Sequence, residues 1–290
     1  MKLRGKKATE ILGQVVLWII LIASLLIFSV PFLFMITNSF EEFSYVLPYP
    51  PKLFPTRLDF SAYQHILGMD IFPTALKNSV INTVITVVIS VFVSTLSAYG
   101  FARIRFPGRD KLFAVYMFTL MVPGFLNIIP QFLVLRRLAL PGLPNGLIGT
   151  RAGLILVYVA TNVCGHTFFL RNFFRSLPNS LAESVLLDGG GHKDIFFRVM
   201  LPLSKPVLMV IAIFTINASW SDFFWPYLVL GSRSELYTVM VKIFYMAGSS
   251  GYSEDIQVVA LIFTIIPPTI LFLFFQRYIM SGFTLSGIKG

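Results

Sequence analysis

Few residues of this chain could do acid–base, nucleophilic or metal chemistry, and they lie far apart. The three histidines, His65, His166 and His192, fall in different segments, and no cluster of His, Cys and carboxylate residues has the spacing of a metal site. The run Gly189–Lys193 is rich in glycine, but it lacks the G-x-x-x-x-G-K-S/T spacing of a phosphate-binding loop and no strand precedes it. The sequence therefore predicts no catalytic residue, no metal site and no cofactor bound by this chain. Uphill transport by it would need an ion gradient or a partner.

The most specifically patterned polar stretch is the 178–206 segment, which lies between two hydrophobic runs. It begins like a helix, because Ser180 and Glu183 fit a capping box in which the Glu183 carboxylate accepts a hydrogen bond from the Ser180 backbone amide. Leu181 and Val185 would then share one face of that helix. The first half of the segment is therefore predicted to be a short amphipathic helix.

The second half of this segment contains a break, a further apolar stripe and two prolines. Gly189–Gly191 permits a sharp reversal, and Ile195–Met200 supplies the stripe. Pro202 and Pro206 bracket the entry to the next hydrophobic run. Two short helices at an angle form a compact unit that a pocket on another protein could grip, so the segment is predicted to dock against a partner.

The composition shows which elements must position this segment. The 290 residues are 56% hydrophobic and only 12% charged, whereas soluble domains carry about 25% charged residues. Apolar runs near the roughly 20 residues that a spanning helix needs predict an all-α polytopic membrane protein with six transmembrane helices. The predicted spans are 12–37, 78–102, 112–136, 152–171, 204–230 and 256–278, with an outer loop at 38–77.

The distribution of lysine and arginine predicts the orientation of these helices. Most of the 23 basic residues fall at the N-terminus, in the 103–111 turn, in the 171–205 region and in the C-terminal tail. The positive-inside rule then places both termini and the 178–206 segment in the cytoplasm. The net charge of +10 thus mostly reflects the orientation of the helices in the membrane. Because the basic residues form no stripe, nucleic acid is not a predicted partner.

The 178–206 segment also resembles a known family. The stretch from Glu183 to Gly189, followed by nine residues and then Val199 to Pro202, is similar to the EAA loop of ABC-importer membrane subunits. That pattern reads E-A-A-x-x-x-G, nine residues, then I-x-L-P. Ser184 and Val185 replace the two alanines, and Val199 replaces the isoleucine. The EAA-type coupling loop accordingly spans 178–202.

Nearly the whole chain resembles the MalG-like permease subunits of bacterial carbohydrate ABC importers. The stretches that carry this resemblance are SAYGFAR at 97–103, FPGR at 106–109, PLSKP at 202–206, WSDFFWP at 220–226 and the tail at 282–290. The resemblance implies a single transmembrane domain over 1–290, located in the bacterial cytoplasmic (inner) membrane. The chain would not be an enzyme but would form half of the translocation path for an oligosaccharide or related sugar compound.

The same resemblance implies partners and a coupling mechanism. A second related permease, two ATP-binding subunits that hold ATP and Mg, and an extracytoplasmic solute-binding protein would complete the importer. Glu183 would accept hydrogen bonds from a basic residue of the ATPase subunit, Gly189 would make the bend, and Leu201 with Pro202 would anchor the loop. The implied ATPase contacts are Glu183, Ser184, Asp188, Gly189, Leu201 and Pro202, with a second contact at 282–290. The solute-binding protein would dock at the outer loops 41–77 and 232–255.

Two interpretations of the substrate path stay open. Asn217, Trp220, Asp222 and Trp225 could form the aromatic and polar lining that suits sugar rings, or they could be interfacial tryptophans beside a surface carboxylate. Asn78, Asn82 and Asn127, together with Gln131 and Asn162, are further candidates. For these amides, hydrogen bonding between helices is the favoured interpretation.

Three other functions compete with sugar import. Glycerol-phosphate or another polar solute is an alternative cargo for a permease of the same type. An ion-coupled secondary transporter would work without nucleotide, but the spans hold few charged residues and the patterned 178–206 segment would have no role in it. A membrane-embedded enzyme would need the catalytic cluster that this sequence lacks.

Overall fold

The structure of the chain is a computed structural model that describes residues 2–41, 54–55, 57–138, 145–248 and 254–287. Within these ranges every regular element is helical. The helices are α1 (Lys2–Asn38), α2 (Ser61–Gly68), α3 (Ile71–Arg103), α4 (Arg109–Met121), α5 (Ile128–Arg137), α6 (Arg151–Ser176), α7 (Ser180–Leu187), α8 (His192–Leu203), α9 (Lys205–Ser221), α10 (Phe224–Leu230), α11 (Val239–Ala247) and α12 (Glu254–Gly287). Short 3-10 turns cover Gly124–Asn127 and Ser234–Leu236.

The described chain contains four helices long and apolar enough to cross a membrane. They are Ile11–Asn38, Phe72–Arg103, Arg151–Ser176 and Ile256–Gln276. Two further apolar pairs are bent: α4 meets the Gly124–Arg137 stretch at 99°, and α8 meets α9 at 72°. The total is six if each bent pair counts as one span. The chain is therefore an all-helical, multi-pass membrane protein.

The structure differs from the predicted spans at three places, and the 72° bend at Ser204 lies at the start of the predicted fifth span. The third span is interrupted where Val122 is extended and Pro123, which has no N–H to donate, follows. The predicted fifth span, 204–230, is divided at Asp222, which is extended between the end of α9 and the start of α10. A third difference lies at the second span, because α3 begins at Ile71 instead of near residue 78.

Contacts divide the chain into two compact units, residues 1–69 with 243–263 and residues 70–242 with 264–290. In the first unit, the apolar residues of α1 are left uncovered, as suits a helix in lipid or against a partner. The Ser39 hydroxyl, just after the end of α1, lies 2.7 Å from the Tyr63 hydroxyl of α2. Residues 42–53 and 56 of the predicted outer loop lie outside the described residues.

The second unit is organised by α3 and α6, which share the most extensive helix–helix contact of the described chain. One face of α3 is lined by small side chains that are almost fully buried: Ser79, Thr83, Thr86, Ser90, Ser94 and Ala98. Small residues at spacings of three and four let two membrane helices approach closely. This packing makes α3 a fixed element of the second unit, and the candidate site lies entirely within that unit.

Candidate functional site

Helices α7 and α8 form a compact projection, residues 180–203, which we call the knob. The chain reverses between them at Gly189, whose φ of +80° is a conformation that glycine adopts without strain. Gly190 packs so closely that a Cβ atom there would lie 2.7 Å from Val185 Cγ1 and 3.0 Å from the Val185 carbonyl oxygen. Gly189 therefore makes the predicted bend, while the sequence pattern gave no sign of the tight packing at Gly190.

The predicted capping box at the start of α7 is wrong. The N-cap is Asn179, so Glu183 is the fourth residue of the helix instead of the third and does not reach back to the Ser180 amide. Its own backbone amide donates to the Asn179 carbonyl oxygen at 3.0 Å. A comparable contact occurs at α8 instead, where the Gly191 amide donates to the Asp194 carboxylate at 3.0 Å. The Glu183 side chain is thus left available for other contacts.

The inner face of the knob belongs to the hydrophobic core. Ile195, Phe196 and Met200 are buried against Leu170 and Phe174 of α6. This confirms the second apolar stripe predicted at 195–200. On α7, Ala182 and Val185 pack against the same cluster, whereas Leu181 stays exposed instead of sharing the buried face with Val185.

The outer face of the knob carries most of the residues predicted to contact an ATPase subunit. Glu183, Ser184, Asp188 and Gly189 are exposed together on and just after α7. The Glu183 carboxylate makes no hydrogen bond or ion pair with another residue in the part of the chain that the structure describes. Leu187 beside them is 89% exposed, the most exposed large apolar side chain of the described chain. The face therefore combines acidic and apolar groups that this chain leaves uncovered.

The remaining predicted contacts lie on the other arm of the knob. Leu201 is half-buried and Pro202 is exposed near the end of α8. They adjoin Ser204, whose hydroxyl donates to the Met200 carbonyl oxygen at 2.6 Å where the chain turns into α9. These two residues therefore sit at the base of the knob, apart from the group on α7. The predicted second contact at 282–290 has no described side chains, and residues 288–290 lie outside the described residues altogether.

A basic cavity adjoins the acidic edge of the knob. It has a volume of about 410 Å³, and Glu183 lies on its wall. Four of its lining residues are Arg103, Arg105, Arg109 and Arg175. Acidic and basic groups therefore lie next to each other at this edge of the knob.

The last turn of α3 holds the knob in place. The Arg103 guanidinium donates to the Asn179 side-chain oxygen at the start of α7 and to the carbonyl oxygens of Phe174 and Leu177 at the end of α6. One turn earlier, the Tyr99 hydroxyl lies 2.9 Å from His192 Nδ1 and donates to the His192 carbonyl oxygen at 3.2 Å. Both residues belong to the SAYGFAR stretch, which carried the resemblance but whose role the sequence did not reveal.

The opposite end of α3 carries a second polar cluster, which we call the Asn78 network. The Asn78 side-chain amide donates to the carbonyl oxygens of Glu235 at 2.8 Å and Tyr237 at 3.2 Å. Arg151 donates to the side-chain oxygens of Asn78 at 2.8 Å and Asn82 at 3.3 Å. Asn78 and Asn82 are only 5% and 3% exposed. The structure therefore brings these two predicted path residues together as partners of a residue on α6.

The Asn78 network also includes a backbone contact. The Val239 amide at the start of α11 donates to the Ser79 hydroxyl at 2.9 Å. This bond and those of Asn78 fix the 235–239 segment to the first part of α3. Arg151, Ser79 and the 235–239 segment were absent from the sequence prediction, because their contacts join residues far apart in the chain.

Asp222 serves as a local cap in this structure. Its carboxylate accepts from the backbone amides of Phe224 at 3.0 Å and Trp225 at 3.2 Å, and so starts α10. The buried Tyr158 hydroxyl of α6 also donates to it, at 2.8 Å. Three donors thus occupy the carboxylate, and it ties α10 to α6.

The other residues predicted to line the substrate path differ in how deeply their side chains are buried. Trp220 is 4% exposed, and its indole N–H donates to the Thr264 carbonyl oxygen at 2.9 Å. Trp225 packs against the cluster that includes Val229, whereas Asn217 is exposed. Asn127 is half-buried in the 3-10 turn, far along the chain from these residues. A sugar site built from these side chains therefore stays a prediction.

Comparison with known proteins identifies similar sequences over most of the chain. A family described as "Binding-protein-dependent transport system inner membrane component" matches residues 18–284. The arabinooligosaccharides transport system permease protein AraQ of Bacillus subtilis (strain 168) is 32% identical over 237 residues, which cover 81% of each chain. The diacetylchitobiose uptake system permease protein NgcG of Streptomyces coelicolor is 32% identical over 255 residues, covering 87% of this chain and 82% of that one.

Solved structures with the same fold include two of bacterial alginate transporters. One, described as a bacterial ABC transporter involved in the import of the acidic polysaccharide alginate, aligns with a TM-score of 0.76 and 25% identity. That alignment covers 95% of this chain and 98% of the other. The second, a complex with an alginate pentasaccharide-bound periplasmic protein, has a TM-score of 0.69 at 16% identity over 93% and 95% of the two chains.

Proposed function

Because the chain belongs to the family of binding-protein-dependent transport system inner membrane components, we propose that it is driven by ATP hydrolysis in partner subunits and forms half of a path for an oligosaccharide. The chain is a transport permease subunit of an ABC importer. ATP and Mg would be bound by the partner ATPase. The rest of the mechanism follows from how the knob is built.

The observation that carries the proposal is the contrast between the two faces of the knob. Its inner face is packed into the core of the second unit, and its outer face exposes Glu183 beside Leu187. Burying a leucine side chain contributes about 1.5–3 kcal/mol, so the apolar part of this face favours a partner surface over water. An unpaired carboxylate at its edge suits a basic group on that partner. A cleft in an ATPase subunit satisfies both requirements.

The proposed assembly places the knob in the cytoplasm and the Asn78 network on the outer side of the bacterial cytoplasmic membrane. This orientation is the one that the lysine and arginine distribution favours. A second related permease and two ATP-binding subunits would complete the membrane complex. A solute-binding protein would dock on the outer loops, of which residues 42–53, 56 and 249–253 lie outside the described residues.

The proposed cargo is an oligosaccharide or related sugar compound. Two relatives are named for the transport of arabinooligosaccharides and of diacetylchitobiose, and a structural neighbour is described as importing an acidic polysaccharide. These descriptions differ in sugar and in charge, so the shared chemistry is a chain of linked sugar rings. Glycerol-phosphate or another polar solute is the alternative cargo.

The experiment that tests the coupling role uses the complete importer reconstituted in proteoliposomes. Glu183→Ala should leave this chain folded in the membrane but lower ATP-dependent uptake by about ten-fold or more, because a charge-assisted contact is typically worth 1.5–3 kcal/mol. Asp70→Ala is the matched control, since Asp70 is an exposed carboxylate whose side chain makes no cap contact at the start of α3. Undiminished uptake by the Glu183 variant, or a wild-type chain that binds no ATPase subunit, would contradict the proposal.

The cargo is tested separately by ATPase stimulation. Saccharides, glycerol phosphate and other polar solutes are each added with the solute-binding protein to the wild-type complex. An oligosaccharide should raise the rate of ATP hydrolysis above the basal rate. A complex stimulated by glycerol phosphate and by no saccharide would replace the sugar with the alternative cargo.

A further inference from the structure

We propose that α3 carries the conformational signal between the knob and the 235–239 segment at its opposite end, with Tyr99 and Arg103 as the positioning residues at the knob. This inference rests on the proposed function, because it concerns how that coupling crosses the membrane. The covalent connections of the knob lead to α6 and α9, so nothing in the chain order points to α3. The link to α3 is made entirely by side chains.

The contacts at the knob end are arranged as a clamp. Tyr99 and Arg103 are four residues apart and therefore neighbours on one face of α3. Tyr99 bonds to His192 where α8 begins, and Arg103 bonds to Asn179 where α7 begins. One turn of α3 thus holds the starting points of both arms of the knob. Any displacement of the knob as a body must either move this turn or break these bonds.

The contacts at the opposite end are equally specific. Asn78 and Ser79 are consecutive, and both bond to the backbone of the 235–239 segment. That segment lies in the 232–255 stretch, which is proposed to face the solute-binding protein. Backbone contacts of this kind fix the path of the segment itself, whereas side-chain contacts would fix only one residue. The position of α3 and the conformation of the segment are therefore linked.

The helix between these two ends is continuous. From Ser79 to Arg103 it spans about 36 Å at 1.5 Å per residue, which is enough to cross a bilayer. The other apolar spans of the described chain are mostly interrupted: two are bent by 99° and 72°, and two contain internal prolines, at Pro31 and at Pro267 with Pro268. Among the described spans, only α6 and the 79–103 part of α3 are long and free of such breaks. A continuous helix packed by small residues can transmit a displacement from end to end.

Hydrogen bonds at both ends could instead only stabilise the fold, and the two roles predict different results. A stabilising role lowers the stability of the complex and lowers all activities together. A signalling role leaves basal ATP hydrolysis in the partner subunit intact but reduces its stimulation by the substrate-loaded binding protein. The ratio of stimulated to basal ATPase activity therefore separates the two roles.

The test uses mild substitutions at both ends of α3 in the reconstituted importer. Arg103→Lys keeps the charge but loses the planar group that reaches three acceptors, and Tyr99→Phe loses one hydroxyl. Ser79→Ala removes the acceptor of the Val239 amide. Each should lower the stimulation ratio by about five-fold, the effect expected for one hydrogen bond, with unchanged complex assembly and a basal rate within about two-fold of the wild type.

Two matched controls lie on the same chain. Ser90→Ala makes the same change on the same buried face of α3, but the Ser90 hydroxyl has no hydrogen-bond partner. Arg137→Lys makes the same change as Arg103→Lys at an exposed position at the end of α5. Both should keep the wild-type ratio. An equal loss in Ser90→Ala would overturn the proposal, because it would show that any change in α3 has this effect.

A double variant with one substitution at each end of α3 tests the proposal most directly. If one helix transmits the signal, Ser79→Ala together with Arg103→Lys should lose no more stimulation than the worse single variant. Multiplying effects, or single variants that keep the full ratio, would overturn the role of α3. A wild-type complex that shows no stimulation by any loaded binding protein would instead contradict the proposed function, so the two failures are distinguishable.

Discussion

At one end of α3 the polar groups of the knob face outward, and at the other end the polar groups of the Asn78 network face one another. Glu183 is exposed and unpaired by any described residue, whereas Asn78 and Asn82 are buried and bonded to Arg151. The two regions are joined by one continuous helix and belong to one unit. The Asn78 network uses its hydrogen-bonding groups within the chain, whereas the knob leaves the Glu183 carboxylate open to a partner.

This difference separates residues that hold the fold from residues that are available to partners. A buried polar group that loses its partner costs about 1–3 kcal/mol, so the asparagines of the network are tied to their present contacts. The exposed groups of the knob carry no such constraint. The favoured interpretation of Asn78 and Asn82 as links between helices agrees with these contacts, and a role in binding cargo would require breaking them.

The largest expected effect on stability is at the Asn78 network. Arg151→Met removes both guanidinium donors and leaves two buried side-chain oxygens without these partners, so the free energy of unfolding should fall by roughly 3 kcal/mol. Thermal unfolding of the purified chain in detergent measures this change. Arg137→Met, at an exposed arginine, is the control and should stay close to wild type. Equal stability of the two variants would remove the contrast between the two ends of α3.

A smaller effect is expected at the packed turn inside the knob. Gly190→Ala places a methyl group 2.7 Å from Val185 Cγ1 and should cost about 1–3 kcal/mol through overpacking. Gly191→Ala is a matched control, because nothing lies within 4 Å of its added Cβ and its φ of −116° suits alanine. Thermal unfolding and binding of the ATPase subunit are measured for both. If Gly191→Ala were the more damaging change, the knob would not have the packing described.

Asp222 was predicted to line the substrate path, but its observed contacts are with groups of its own chain. Asp222→Asn keeps one acceptor oxygen and weakens the contacts with Tyr158 and the start of α10, so stability should fall by about 1 kcal/mol. Uptake measured at saturating cargo should fall no further than the amount of folded complex does. A large rise in the cargo concentration needed for half-maximal uptake, with stability unchanged, would restore Asp222 as a binding residue.

The smallest effect on stability is expected on the outer face of the knob. Leu187→Ala removes a side chain that is already 89% exposed, so the stability of the isolated chain should change by less than about 0.5 kcal/mol. The affinity for the ATPase subunit should nevertheless fall by about ten-fold, since burying most of a leucine is worth roughly 1.5 kcal/mol. Leu126→Ala, at a 58% exposed leucine of the Gly124–Asn127 turn, should leave that affinity unchanged.

The sequence alone predicted the features that depend on local pattern. The apolar runs gave the membrane helices, the glycines and the 195–200 stripe gave the knob, and the motif around Glu183 led to the family that the comparisons show. These signals are periodic or closely spaced, so they are visible without coordinates. The second apolar arm of the knob and the bend at Gly189 are clear examples.

The features that the sequence did not reveal depend on which of several possible hydrogen bonds forms, or on contacts between residues far apart in the chain. The predicted cap at Ser180 is replaced by an N-cap at Asn179, whose side-chain oxygen accepts a hydrogen bond from Arg103 of α3. Asp222 could have faced cargo, but its position allows it to accept from three donors of its own chain. The pairing of Asn78 with Arg151 joins residues on different helices, and no spacing rule reveals it.

The bend at Ser204 links a movement of the knob to the orientation of α9. Because α8 meets α9 at 72°, the two helices form a bent lever with its corner at Ser204. A sideways displacement of the knob then rotates α9 about Ser204. The far end of α9 moves through a distance that grows with the length of that helix. Under the proposed coupling, a small shift of the knob is therefore enlarged at the opposite end of α9.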